Sequence, residues 1–361
     1  MRARPFLASP IISLPGRLRA LAEPLVPPRT RDVGAIVDES LGAFVRRRFG
    51  GELLASIAQP MIGGIYGADP EKLSLLATFP RYLRLEAEHG SVLRGLRRIR
   101  VAEASGPRYG LFASLAGGMQ EMTDALAARL PAGALRLHAP VTGLTRDGGD
   151  WIVATPRGQE RFDAVIVTLA APAVSRLVAE FDPGFGVALS AFPRGSSATV
   201  TFAFDVADVG HRLDAAGFVA PRREGLLLLG ASFAHRKFAG RAPAERAIVR
   251  VFFDERGFTL DDAALVERAR HELSGLLFLA STARPFARVV RWENAMPHYH
   301  VGHLERVAGI RARCAQWPGL QLAGNSYTGV GLPDCIAAGE AAGETVATGS
   351  PAGAPPRTQG D

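Results

Sequence analysis

The sequence predicts a mixed α/β (α+β) protein, and three observations carry that prediction. Apolar residues recur at helical spacing in the first third of the chain, and period-two alternation takes over after about residue 135. The third is a strand, a glycine-rich turn and a helix near the C-terminus, where residues 324–344 read GNSYTGVGLPDCIAAGEAAGE. A chain of 361 residues suffices for about two domains and a substantial core.

Residues 1–30 are proline-rich and read as an extended or loosely helical entry, because proline restricts itself and its predecessor. From Asp38 the spacing turns helical, with Leu41, Phe44, Val45 and Phe49 on one stripe and a Gly50-Gly51 stop. A second helix over 52–60 is expected to end at Pro60, with GGIYGADPEKL as a turn. After Gly117-Gly118, MQEMTDALAARL sets Met119, Met122, Leu126 and Leu130 on a helical stripe closed by Pro131. LRLH, VTGLT, WIVAT and FDAVIVTL are four predicted strands, with turns at Asp147-Gly148-Gly149 and Arg157-Gly158. The last is apolar from Ala164 to Leu169, as a strand buried on both faces should be. Further strands are predicted at SSATVTFAFDV, GLLLLGASF, AIVRVFFD and ARVVRWEN. Helices are predicted at 261–275, with Leu265, Ala269 and Leu273 on one stripe, and at LERVAGIRARC. GLQLAGN is a short strand running into the glycine-rich turn, and the tail SPAGAPPRTQGD has a disordered composition. There is no internal repeat.

The composition, 47% apolar and 21% charged, contains no apolar run near the roughly 18–20 residues of a spanning helix. MRARPFLASPIISLPG begins basic and then turns apolar, but Pro5 and Pro10 interrupt it and no small-residue cleavage site follows, against a secretory signal. Cys314 and Cys335 are the only cysteines, too few for a disulfide framework or a structural zinc site, and a reducing cytoplasmic setting is expected. The net charge is +7, and Lys72 and Lys237 are the only lysines. Arginine clusters at Arg46, Arg47, Arg48 and at Arg94, Arg97, Arg98, Arg100 suit an acidic substrate or anionic lipid, or are a solvated helix face. No nucleic-acid-binding signature is present.

In GVGLPD, Gly329 and Gly331 let the backbone approach a ligand, and the following helix aims its positive end at the same place. As a Rossmann fingerprint it fails, because Asp334 stands in the third glycine position; a plain glycine-rich turn is the other reading. MPHYHVGH brings His298, His300 and His303 close in sequence, which suits a metal site or, without a nearby carboxylate or cysteine, ordinary hydrogen-bonded histidines. GAS at 230–232 and GNS at 324–326 lack the G-x-S-x-G elbow of a hydrolase.

ESLGAFVRRRFGGELLASIAQPMIGGIYGADPEKLSL, residues 39–75, resembles the helical substrate-domain segment of bacterial protoporphyrinogen and coproporphyrinogen oxidases. EHGSVLRGL, LAGGMQEMTDALAARL, FDAVIVTLAAP, WENAMPHYHVGH and LAGNSYTGVGLPDCIAAGE follow in that family's order, so the resemblance runs from about residue 10 to 347. It implies an incomplete amine-oxidase-like FAD-binding domain with an inserted mixed-sheet substrate domain and a helical subdomain. The expected division is a helical, substrate- or membrane-associated region at 1–105, FAD-binding parts at 106–175 and 293–348, a substrate sheet at 176–292 and the tail at 349–361. The implied reaction is six-electron oxidation of a porphyrinogen in haem biosynthesis, in three two-electron steps, with FAD as acceptor and oxygen giving hydrogen peroxide.

By resemblance Val141 meets the adenine, Trp292 lies near the flavin, and Val330, Gly331 and Leu332 meet the flavin ring and ribityl chain, with Gly324 and Asn325 just upstream. No catalytic acid or base and no metal ligand is identified. The implied partners are the porphyrinogen and oxygen, with peripheral contact at the inner face of the cell membrane and an N-terminal fragment or a second copy of the chain. The chain departs from the pattern in having no G-x-G-x-x-G turn, as if it began about a hundred residues in. A late start, a split gene or a decayed fragment would each explain that. The alternatives are a non-catalytic remnant unable to hold FAD and a related flavoenzyme acting on an amine or a polyene.

Overall fold

The computed structural model describes residues 10–102 and 113–349, so the proline-rich tail expected to be disordered lies outside them. The chain divides into two compact units, Met1–Ala125 with Arg194–Val301, and Leu126–Pro193 with Gly302–Asp361.

The first unit opens with helices. In α1 (Leu14–Leu21) the Ser13 hydroxyl accepts from the Gly16 N–H, and in α2 (Leu41–Phe49) Ser40 accepts from Ala43. The α2 stripe is buried at Leu41, Phe44 and Val45 as its spacing predicts. The arginine cluster on α2 is not a free basic patch. Arg46 pairs with Glu71, Arg47 donates to Glu39 and Glu86 at 2.6 Å each, and the fully buried Arg48 pairs with Glu23. The second predicted helix does not stop at Pro60. Leu54–Ala58 is wound as a π-helix just before Pro60, a local widening that lets the helix pass a residue with no N–H, and α3 (Gln59–Tyr66) continues until Gly67 turns left-handed at φ +59°. Then come α4 (Pro80–His89), α5 (Val92–Ala102) and α6 (Gln120–Ala127); α6 ends at Ala127 rather than at Pro131, so only Met122 and Leu126 of the predicted stripe are helical, and none of that helix is buried.

The rest of this unit is a five-stranded antiparallel sheet in the order β6-β7-β8-β5-β9. It is built from β5 (Arg194–Asp205), β6 (Gly217–Val219), β7 (Gly230–Phe233), β8 (Arg246–Phe253) and β9 (Phe286–Pro297). Alternate residues of β5 and β8, among them Val200, Phe202, Phe204, Val249 and Val251, face Leu265, Ala269, Leu273 and Leu277 of α9 (Asp262–Leu277). The GLLLLGASF strand begins only at Gly230. The leucine run before it is held outside the sheet by Glu272 of α9, whose carboxylate accepts from the Leu227 and Leu228 N–H groups at 2.9 and 3.0 Å.

In the second unit β1 (Gly143–Asp147), β2 (Asp150–Thr155) and β3 (Gly158–Phe162) form an antiparallel meander, and β4 (Val165–Val167) runs parallel to β10 (Leu320–Leu322). LRLH is not a strand; the chain turns there, with His138 left-handed at φ +54°, and pairing starts at Gly143. FDAVIVTL shrinks to three paired residues, and Ile166 and Leu169 are exposed rather than buried, because among the described residues β4 has one strand neighbour. Helices α7 (Ala171–Val178), α8 (Pro183–Ser190) and α10 (His303–Cys314) surround a core of Trp151, Val174, Phe185, Leu189, Val307 and Ile310, and α11 (Leu332–Thr348) follows β10. Asp182 caps α8 and takes both Nε and Nη2 of Arg313, at 2.8 and 2.6 Å. Among the described residues no helix is long and apolar enough to cross a membrane.

Candidate cofactor site

Parallel strands leave their ligand space at their carboxyl ends, where backbone leaves the sheet and helices begin. In the second unit β4 runs into α7 and β10 runs into α11, so two helix N-termini follow one pair of strand ends. The Ala323 N–H still reaches the Val167 carbonyl at 3.1 Å, and then the chain turns at Gly324, φ +116°, where an added Cβ would stand 3.4 Å from the Thr168 carbonyl oxygen. Buried Ser326 accepts from the Ala171 N–H at 3.1 Å, tying this turn to the first residue of α7. His303, fully buried at the start of α10, donates from Nε2 to the Tyr327 carbonyl at 2.9 Å, and Phe192 meets both rings edge-on. The loop between β10 and α11 is thus fixed from two sides.

Gly329 has φ +110°, and a Cβ there would lie 2.4 Å from Cγ of Asp334. The Asp334 carboxylate turns back to accept from the Gly331 N–H at 3.2 Å, capping the start of α11 from its third residue. The residue that spoils the phosphate fingerprint is therefore a helix cap, and its charge already faces the positive helix end. That end suits an uncharged or hydroxylated group better than a phosphate. Leu169 and Leu332, after β4 and at the start of α11, are both about half exposed and offer apolar surface to a planar ring. Burial, with Asp334 as a lesser cause, pushes the Cys335 thiol up, so it stays protonated.

Of the sequence-predicted cofactor residues, Gly324, Asn325, Val330, Gly331 and Leu332 all belong to this loop and helix entry. Val141 is in the same unit, 43% exposed and two residues ahead of β1, where the Thr142 N–H binds the Ala154 carbonyl. Trp292 is in the first unit, on β9 opposite Ser197, with 53% of its surface exposed. The three histidines form no metal site, and none is found among the described residues. His298 and His300 stand 5.9 Å apart ring to ring in the first unit, whereas His303 is committed to Tyr327 in the second. Burial, then His300, pushes His298 below its ordinary pKa, although Glu255 opposes them.

Beside Trp292 is a feature that local sequence does not signal. Gly195 of β5 pairs with Met296, but Ser197 pairs with Trp292, so Glu293, Asn294 and Ala295 bulge opposite the single residue Ser196. Asn294 is left-handed at φ +45°, its N–H donates to Ser196 Oγ at 2.9 Å, and Arg194 donates to the carbonyls of Asn294 and Ala295.

Residues 2–347 match the model of the family described as flavin containing amine oxidoreductase. The coproporphyrinogen III oxidase of Bacillus subtilis (strain 168) is 29% identical, over 94% of this chain and 73% of its own length. That of Staphylococcus aureus (strain NCTC 8325 / PS 47) is 30% identical, over 95% of this chain and 75% of its own length. A crystal structure assigned as a protoporphyrinogen oxidase from Exiguobacterium sp. 255-15 superposes with a TM-score of 0.80 at 26% identity, covering 96% of this chain and 74% of that one. A glycine turn at the ends of parallel strands and a family match over nearly the whole sequence agree, and the chain belongs to the flavin-containing amine oxidoreductases, among the coproporphyrinogen and protoporphyrinogen oxidases.

Proposed function

We propose that this protein oxidises a porphyrinogen, coproporphyrinogen III or protoporphyrinogen IX, to the porphyrin. The observation that carries the reading is a likeness to coproporphyrinogen III oxidases over 94–95% of the chain. FAD, when bound, supplies the two-electron acceptor, and each porphyrinogen then passes six electrons to three molecules of oxygen, giving three of hydrogen peroxide. The residues present fit a flavin: Gly324 and Gly329 bring backbone where side chains could not go, and Leu169 and Leu332 offer apolar contact.

The chain's own residues bind, orient and exclude water. In this proposal Val141 touches the adenine, Gly324, Asn325, Val330, Gly331 and Leu332 line the ring and ribityl chain, and Trp292 lies near the flavin. No acid or base of the protein is assigned. The same reading divides the chain into a helical region at 1–105, FAD-binding parts at 106–175 and 293–348, and a substrate sheet at 176–292. It includes a cytoplasmic location with contact at the membrane surface. Ile11, Leu14 and Leu18 follow helical spacing at and before α1, Leu25 follows that helix, and each is more than half exposed.

Flavin-loaded protein given either porphyrinogen should produce porphyrin fluorescence with about three peroxides per porphyrin, the ratio the electron count requires. Porphyrin formation no faster than in protein-free buffer with both substrates would overturn the reading. Production from one substrate alone would name it.

A further inference from the structure

We propose that Arg194 and Ser196 are positioning residues that clamp the β9 bulge and thereby hold Trp292, its neighbour on β9, in place; the inference rests on the reading of Trp292 given above. An antiparallel ladder would satisfy the backbone of residues 293–295 by itself, but here three residues oppose one and the ladder is interrupted. The freed groups are taken by side chains of β5. Ser196 accepts from the Asn294 N–H, and one guanidinium donates Nε to the Asn294 carbonyl and Nη2 to the Ala295 carbonyl, the latter at 2.7 Å. A forked planar donor suits two adjacent carbonyls, which a lysine ammonium cannot match.

The backbone inside the clamp is in a costly conformation. Asn294 is one of four non-glycine residues with positive φ among the described residues, and asparagine is among the side chains that tolerate it best. Such a conformation persists only where its surroundings over-determine it, and bulges of this kind re-aim neighbouring side chains. The neighbour is Trp292, the last residue paired before the bulge, with its side chain half exposed. Between the two clamp residues, Gly195 lies so close to the His298 ring that an added Cβ would come within 2.4 Å of it, so this register requires a glycine there.

The test uses the full chain with Arg194→Gln, Arg194→Lys, Ser196→Ala and Trp292→Phe. The chain has three tryptophans, so subtracting the Trp292→Phe emission isolates Trp292. Three quantities are read: that difference emission without flavin, hydrogen exchange of the peptide spanning 290–297, and the visible spectrum and affinity on titration with FAD. Arg194→Gln and Ser196→Ala are expected to shift the Trp292 emission, speed exchange in the bulge and weaken FAD in the direction that Trp292→Phe does, with the melting temperature kept. Arg194→Lys should recover only part of this. If Trp292→Phe perturbs FAD binding while Arg194→Gln and Ser196→Ala leave it and the Trp292 emission unchanged, the clamp is refuted and the cofactor reading survives. If Trp292→Phe leaves FAD untouched, the reading of Trp292 falls and the proposal with it, whatever the exchange shows. A fall in melting temperature that accounts for every change would also refute it, leaving Arg194 a structural residue.

Discussion

Gly329 and Asp334 show how much of the site is decided by single atoms. The left-handed turn at Gly329 brings its α-carbon so near the Asp334 carboxylate that any Cβ would collide with it. Gly331, by contrast, has φ −75°, and a Cβ there would meet Asp334 only at 3.0 Å. Gly329→Ala is therefore expected to destabilise by about 1–3 kcal/mol and to weaken FAD, and Gly331→Ala by clearly less. Thermal unfolding with a flavin titration on both variants checks this, and equal effects would contradict the geometry. The glycines were legible in the sequence as points of close approach, and so was Asp334 as a departure from the phosphate fingerprint. Its action as a cap was not, because that depends on where the helix begins. Arg194 was invisible in a different way: its significance comes from a register shift against residues a hundred positions away.

At the scale of elements, periodicity served well where one face meets one core. The alternation of β5 and the face of α9 are buried as their spacing requires, and so is the α2 stripe at Leu41, Phe44 and Val45, with Phe49 only partly buried. It failed where a side chain from elsewhere intervenes, as Glu272 does by holding the Leu227 and Leu228 N–H groups, or where a π-helical stretch lets a helix pass Pro60. It also said nothing about what lies outside a stripe. The leucines of α1 point to water beside Arg17, which fits an interfacial helix on an anionic surface. Leu14→Glu with Leu18→Glu should abolish sedimentation with phosphatidylglycerol vesicles and leave the flavin spectrum unchanged. Wild-type protein that ignores such vesicles, or a double variant that still binds them, would rule out this membrane contact.

For the whole molecule the ion pairs set an acid limit. Arg313, with the Phe185 N–H and Trp317, holds the Asp182 carboxyl well below the usual range. Burial alone would raise Glu86, but Arg47 outweighs it and lowers it. Groups whose folded pKa is depressed contribute stability that is present above the ordinary carboxylate value of about 4 and is lost as pH falls toward the folded one. Asp182→Asn should therefore cost about 1.5–3 kcal/mol at pH 7, and the gap to wild type should start to narrow only below about pH 4 and go on narrowing as the pH falls further. Urea titrations across that range measure it, and a gap independent of pH would show the linkage to be wrong.

The sequence by itself determined part of the succession of helical and strand segments, the family, and the glycine turn that the flavin reading rests on, because these depend on local spacing and residue type; the helices Ala171–Val178 and Pro183–Ser190 and the turn at LRLH were not legible in it. Only the tertiary structure decided that arginines clustered in sequence would be divided among buried carboxylates, that His303 would hold Tyr327 rather than a metal, and that Arg194 would grip the bulge beside Trp292. Charge and hydrogen bonding find their partners in space, and a buried donor takes whichever acceptor the packing brings to it, however far along the chain that acceptor lies.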